Sequence, residues 1–227
     1  MPSVHRYRRI EELPQVIPVF PLHACILLPR ASLPLQIFEP RYLAMLDSIV
    51  GGTRLIGIVQ PAGEGGETGS PQEPSAPLRS IGCVGRLTAF QELENGRLLI
   101  SLTGVARFGL VDEVVDPEIP YRTYKVEYGK FADDFQPGLG EQQVDRNKLI
   151  DALRRYLAAR GFEADWDVIA KSSTEQLVNS LSVASPFGSE EKQALLEAAS
   201  LKIRAETLVA LAEMELAGGG NVGTTLQ

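Results

Sequence analysis

Apolar positions recur along this chain with two different periods, and the change from one to the other divides it. Up to about residue 129 the apolar runs are short, or they alternate. "VIPVFPL" (16–22) and "ACILLP" (24–29) are apolar runs bounded by prolines, and in "LPLQIF" (33–38) Leu33, Leu35 and Ile37 share one face. These patterns predict strands, the first at an edge or a strand start because proline donates nothing to a ladder. In "EPRYLAMLDSIV" (39–50) the period lengthens: Tyr42, Leu43, Leu46, Ile49 and Val50 recur at three- and four-residue steps. A short helix follows, with Pro40 in its first turn, the charge of Glu39 at its positive end and Gly51-Gly52 stopping it.

"RLIGIVQ" (54–60) predicts another strand, and residues 61–80 a mobile loop, since they hold turn-formers and charges with hardly a large apolar group. Asn95-Gly96 lies between two β-rich runs, a strong hairpin signal. "ISLTGVARFGLVDEV" (100–114) predicts two strands joined by a bend at Gly104. Alternation over 121–129 predicts the last strand.

After residue 129 the helical period takes over. Residues 130–143, rich in Gly, Pro and Asp, are expected to be a linker. Residues 144–159 place Leu149, Ile150, Leu153, Tyr156 and Leu157 on one face, and Gly161 ends that helix. A short helix is expected over 164–170. The next opens at 172 on a capping box, Ser172 with Glu175 three residues on. The longest helix is expected to be capped by Ser189, with Glu190 and Glu191 in its first turn and a buried stripe of Leu201, Ile203, Leu208 and Leu211. The expected units are thus a β subdomain over 14–129, the linker, a helical subdomain over 144–217 and a disordered tail over 218–227.

Charge sharpens this division. The net charge is −7; residues 1–130 carry 13 Lys/Arg against 14 Asp/Glu, and residues 131–227 carry 9 against 15, a balance of −6. Such acidity argues against a nucleic-acid partner, which calls for a basic face. Four arginines of the β half, Arg86, Arg97, Arg107 and Arg122, are the side chains that could line a basic cleft. No segment reaches the roughly 20 apolar residues of a membrane helix. The basic N-terminus has no apolar stretch of signal-peptide length, so a soluble cytoplasmic protein is expected.

Candidate chemistry is sparse. Cys25 and Cys83 are far apart with no neighbouring ligands, which predicts buried reduced thiols rather than a metal site. There is no GxxxxGK[ST] and no GxSxG. "GEGGETG" (63–69) has no lysine and opens no helix. His5 falls in a charged N-terminus and His23 among apolar residues, where a packed histidine is expected. Asp133-Asp134 and Glu190-Glu191 fall on the linker and on a helix start. No catalytic, cofactor or metal residue is assigned, no cofactor is expected, and the oligomeric state and binding residues stay open.

The stretch "IPVFPLHACILLPRASLPLQIFEPRYLAML" resembles the start of the N-terminal domain of Lon proteases. Pro18, Phe20, Pro21, Leu22, Pro29, Pro34, Leu35, Ile37, Phe38, Glu39, Arg41 and Tyr42 carry the likeness. It continues through 81–110 and into "EEKQALLE" with Lys192, Gln193, Leu195, Leu196 and Glu197, so that it covers about 14–217. The chain resembles the stand-alone Lon substrate-binding-domain proteins, which lack the ATPase and peptidase modules. The resemblance implies an α+β fold, a PUA-like β pseudobarrel with an inserted short helix followed by a C-terminal helical bundle. It implies a non-catalytic module for protein or peptide clients, recognising exposed or unfolded segments. Two alternatives stay open: an RNA-binding PUA-like module, and an unrecognised hydrolase built around His23. Glu39 and Arg41 are expected to fix the strand-to-helix corner beside buried Phe38 and Tyr42.

Overall fold

The fold is seen in a computed structural model, which describes residues 7–63, 76–93, 96–161 and 165–219. His5, Asn95, most of the glycine-rich 63–69 segment and residues 220–227 of the expected tail lie outside the described residues. Six strands form one mixed sheet: β1 (Val16–Pro21), β2 (Ser32–Ile37), β3 (Leu55–Val59), β4 (Ile81–Glu92), β5 (Leu98–Glu113) and β6 (Arg122–Glu127). Their order is β2-β5-β4-β3-β1-β6, and a further pairing of β5 with β6 closes five of them into a ring. β1 and β3 run parallel; the other pairs are antiparallel.

The closure depends on the length of β5. Its first half, Leu98 to Thr103, pairs with β2, and its far end, Gly109 to Glu113, pairs with β6. Gly104 is therefore not a bend between two strands, as its position suggested, but the place where one long strand changes partners. Only glycine fits, because a Cβ would collide with the carbonyl oxygen of Leu28. Residues 22–29, expected to include a strand, form none beyond an isolated bridge of Pro29 to Gly104. They cross the sheet as a loop with Ile26, Leu27 and Leu28 fully buried. An apolar run marks burial, and here it belongs to a loop pressed beneath helices.

Helix α1 (Pro40–Val50) follows β2, with Met45 and Leu46 buried and Tyr42 stacked on Phe20, ring centroids 4.0 Å apart. The left-handed residue beyond this helix is Arg54 (φ 59°) rather than either glycine; its N–H reaches the Ile49 carbonyl. The remaining helices are α2 (Arg146–Arg160), α3 (Trp166–Lys171), α4 (Thr174–Ala184), α5 (Ser189–Glu197) and α6 (Leu201–Gly219). Gly161 ends α2 in the left-handed conformation. Ser173, not Ser172, caps α4 by accepting the Gln176 N–H, and Gly188, not Ser189, precedes α5.

The expected single long helix is two. It breaks at Ala198, where two buried guanidinium groups take the carbonyls and Ser200 caps the following helix by accepting the Ile203 N–H (3.2 Å). Arg107 donates to Leu196 O (3.2 Å) and Ala198 O (2.8 Å), and Arg204 to Leu195 O (2.9 Å). The stripe also differs: Leu201 and Leu208 are buried, but Ile203 is 46 % exposed, and Arg204, Ala205, Val209 and Ala212 fill the inner face.

Two apolar clusters form the core. One fills the ring, around Ile17, Val19, Val84 and Phe108. The other runs without interruption from the sheet, through Ile56, Ile58 and Leu102, into the helices at Leu153, Val178, Leu195 and Leu208. Segment 130–143 lies against this assembly: its 3-10 turn Gly129–Phe135 buries Phe131 and Asp134. A stretch read as a linker from its Gly, Pro and Asp content is thus packed in place.

Candidate functional site

Between Gly104 and Phe108 β5 has parted from β2 and not yet met β6, and other groups take over its backbone. Arg30 N–H donates to Gly104 O (2.8 Å), Gly104 N–H to Ala31 O (2.9 Å) and Arg107 N–H to the Asp134 carboxylate (2.9 Å). Above this seam opens a cleft of about 860 Å³. One wall is sheet, with Arg86 and Thr88 from β4 and Thr103 to Val105 from β5. The other is the start of α4, with Ser173, Glu175 and Gln176, and segment 134–141 and Arg8 close the ends. A hollow between α2, α4 and α6, lined by Leu149, Tyr156 and Phe187, measures about 20 Å³, room for about one water. The cleft is the one of these two that can hold a ligand.

Buried charge holds the cleft in shape. Arg107 grips Asp134 with two parallel bonds, Nη2 to Oδ1 (2.8 Å) and Nε to Oδ2 (3.0 Å), both side chains being buried. Such a fork-to-fork pair fixes orientation as well as charge. Arg30, in the left-handed region at φ 64°, forks onto Glu175 and sends Nη1 to the Asp134 carbonyl. Glu175 also takes the Gly138 N–H (2.9 Å), and its own N–H goes to Glu141 (2.8 Å). One carboxylate thereby ties α4 to the loop before β2 and to segment 134–141. Behind it Arg204 donates to Asn179 (2.9 Å), which donates to Pro29 O (3.0 Å); burial above all lowers the Arg204 pKa to about 10. A non-glycine residue held at positive φ within such a network is over-determined by its surroundings.

The exposed face of the sheet continues from the cleft. Register places Gln36, Leu99 and Gln91 side by side across β2, β5 and β4, with Pro34, Ser101 and Ala89 in the next row. Phe38, 60 % exposed and with Arg97 over its ring, stands at the far end.

The residues singled out in the sequence fall elsewhere. Glu39 and Arg41 do pair, at 2.7 Å, but their side chains are 39 % and 41 % exposed, and Phe38, expected to be buried, is not. Arg86, Arg97, Arg107 and Arg122 do not converge. Arg107 is buried on Asp134, Arg122 pairs with Glu113 (2.7 Å), Arg97 lies over Phe38, and Arg86 alone lines the cleft. His23 is exposed rather than packed, and among the described residues no serine or cysteine is hydrogen-bonded to it. Cys83 is fully buried, which raises its pKa, whereas Cys25 is only partly covered. Asp133 stays exposed while Asp134 is buried, and Glu190 pairs with Arg79. Among the described residues no group of His, Cys, Asp and Glu could hold a metal, and no helix is long and apolar enough to cross a membrane. Sequence pattern gave Glu175 only a helix-capping role and gave Arg30 none; the one available signal for Arg30 was an arginine inside the apolar run "ILLPRASL".

The family model of the ATP-dependent protease La (LON) substrate-binding domain matches residues 16–213. The chain belongs to this family. Among curated relatives, the Lon protease of Flavobacterium johnsoniae is 28 % identical over 91 % of this chain and 25 % of its own length. Lon protease 2 of Myxococcus xanthus is 26 % identical over 88 % of this chain and 24 % of its own length. The chain therefore spans about a quarter of the length of these relatives. Two solved structures share its α+β fold. The Lon N-terminal domain protein of Xanthomonas campestris has a TM-score of 0.57 at 21 % identity, covering 86 % of this chain and 97 % of its own. The N-terminal domain of the Mycobacterium avium complex Lon protease has a TM-score of 0.62 at 16 % identity, covering 87 % and 98 %.

Proposed function

We propose that this LON substrate-binding domain is a non-catalytic, cytoplasmic recognition module that binds exposed or unfolded polypeptide segments in the cleft at the β5 seam. The closed sheet with its inserted α1 is read as a PUA-like pseudobarrel and the C-terminal helices as a bundle. Units of 14–129 and 144–217 are joined by 130–143. The observation that carries the reading is the cleft itself. Its walls are mostly apolar or neutral, it measures about 860 Å³, and it opens onto the uncovered rows of β2, β5 and β4. An extended segment finds apolar contact, hydroxyls and amides there, in the manner of peptide-recognition grooves. The family match supports a substrate-recognition role.

The test is fluorescence anisotropy with a labelled twelve-residue peptide of alternating apolar and Ser/Thr/Gln residues. Thr88→Trp and Gln176→Trp, each filling the cleft from one wall, are expected to weaken binding at least about tenfold, or about 1.4 kcal/mol, with unchanged urea melts. Unaltered affinity in both variants would place the polypeptide site elsewhere.

A further inference from the structure

One residue is bonded to both walls of the cleft and to the segment that closes it. Arg30 belongs to the loop before β2 and itself lines the cleft. Its backbone N–H holds the sheet wall, at Gly104 O (2.8 Å). Its Nε and Nη2 fork onto the two Glu175 oxygens of the α4 wall, Nε at 2.9 Å. Its Nη1 holds the closing segment, at Asp134 O (2.6 Å). The residues on either side repeat the pattern: Ala31 O accepts from Gly104 N–H (2.9 Å), and Pro29 O from Asn179 of α4 (3.0 Å). Residues 29–31 thus bracket the sheet to α4. Arg30 does so at φ 64°, a left-handed backbone that a non-glycine residue keeps only where its surroundings over-determine it. All three guanidinium nitrogens donate within the protein, so Arg30 is placed to hold the walls rather than a client.

We propose that Arg30 is the positioning residue of the cleft: it fixes the separation of sheet and α4, and a polypeptide segment binds tightly only at that separation. The proposal rests on the cleft being the polypeptide site. Lysine at this position keeps the charge but offers one point-like ammonium, which cannot fork onto both oxygens of Glu175 and reach Asp134 O as well. The α4 wall then samples other separations from the sheet. Affinity falls in proportion to the time spent away from the parent separation, because only the competent population binds. Walls ordered in advance leave no ordering cost to be met when the client arrives.

The experiment measures wall separation and affinity in the same proteins. Nitroxide labels at Ala89→Cys on β4 and Ser180→Cys on α4, both exposed positions, report the separation by double electron–electron resonance. Cys25→Ser removes the partly covered thiol, and Cys83 is fully buried. Affinity is read by anisotropy with the twelve-residue peptide of alternating apolar and Ser/Thr/Gln residues. The parent should give one narrow distance. Arg30→Lys should add others, keep the parent distance in about a tenth of the molecules and bind the peptide about tenfold more weakly. Saturating peptide should restore the parent distance. Glu175→Gln should behave alike, and the double variant should be no worse than either, since both act through one fork. A loss of stability alone would move the urea midpoint without tying affinity to the fraction at the parent distance. If Arg30→Lys does not fold, Arg30→Gly, which relieves the left-handed backbone, takes its place. An unchanged distance distribution in both single variants would overturn the proposal. So would a broadened distribution with peptide affinity intact while Thr88→Trp or Gln176→Trp still blocks binding; the cleft would then remain the site. Peptide binding that neither those tryptophans nor the Arg30 variants alter would overturn the proposal together with the reading it rests on.

Discussion

Replacing Arg107 by leucine should cost the protein most of its stability. The side chain is buried, and its fork occupies both oxygens of Asp134, itself buried, at 2.8 and 3.0 Å. Its remaining nitrogen closes the carbonyls of Leu196 and Ala198, where α5 ends. Leucine leaves a carboxylate stranded in the interior, a loss of about 3–5 kcal/mol. It also orphans two buried carbonyls, at about 1–3 kcal/mol each. These terms share a site and do not add in full, but even about 5 kcal/mol reaches the lower edge of the roughly 5–15 kcal/mol that holds a domain folded. Arg107→Leu is therefore expected to be unfolded or to lose most of its urea midpoint. Asp134→Leu strands the guanidinium instead and should cost a similar amount. The double variant Arg107→Leu/Asp134→Leu removes both charges and should be clearly more stable than the sum of the two losses, with a coupling of about 2 kcal/mol or more. Urea melts of the four proteins followed by circular dichroism form the cycle, and if a single variant is unfolded its loss is a lower bound. An Arg107→Leu midpoint near that of the parent, or strictly additive losses, would refute the claim that this pair is the joint between sheet and helices.

Arg41→Ala should cost no more than about 1 kcal/mol, because its partner Glu39 stays partly in water after the pair is broken; a urea melt checks it, and a loss near 3 kcal/mol would show the strand-to-helix corner to depend on the pair. Lys192 is buried with its ammonium on Ser182 O (2.8 Å) and Val183 O (2.6 Å), and burial lowers its pKa from 10.5 to about 8. Between those two values the unfolded chain holds more protons than the folded one, so stability from this group rises with pH from 8 to 10.5, by about 3 kcal/mol at most, and is lost again as pH falls through 8. Urea midpoints at pH 7.5, 9 and 10.5 should show that rise relative to Lys192→Met; parallel pH profiles for the two proteins would count against it.

The period of the apolar positions was enough to separate the strand-rich half of this chain from its helical half. Alternation and short apolar runs located the six strands, and the three- and four-residue steps located α1 and α2, because both signals are local and survive any tertiary arrangement. The proline-framed opening and the "KQALLE" step were enough to recognise the family. Local signals could not report where partners meet. The run 24–29 is as apolar as a strand, yet it is a loop, since burial alone does not specify a ladder. The break at Ala198 has no glycine or proline to announce it; Ser200 caps the next helix by accepting the Ile203 N–H (3.2 Å), and Arg107, 91 residues earlier, and Arg204 donate to the carbonyls left at the break. Glu175 reads as the glutamate of a capping box opened by Ser172, and the structure pairs it with Arg30 instead, 145 residues away. The cleft was invisible for the same reason. Its walls come from β4, β5, α4 and segment 134–141, which meet only in the folded chain. Only long-range packing, which brings a guanidinium and a carboxylate together out of water, decides that.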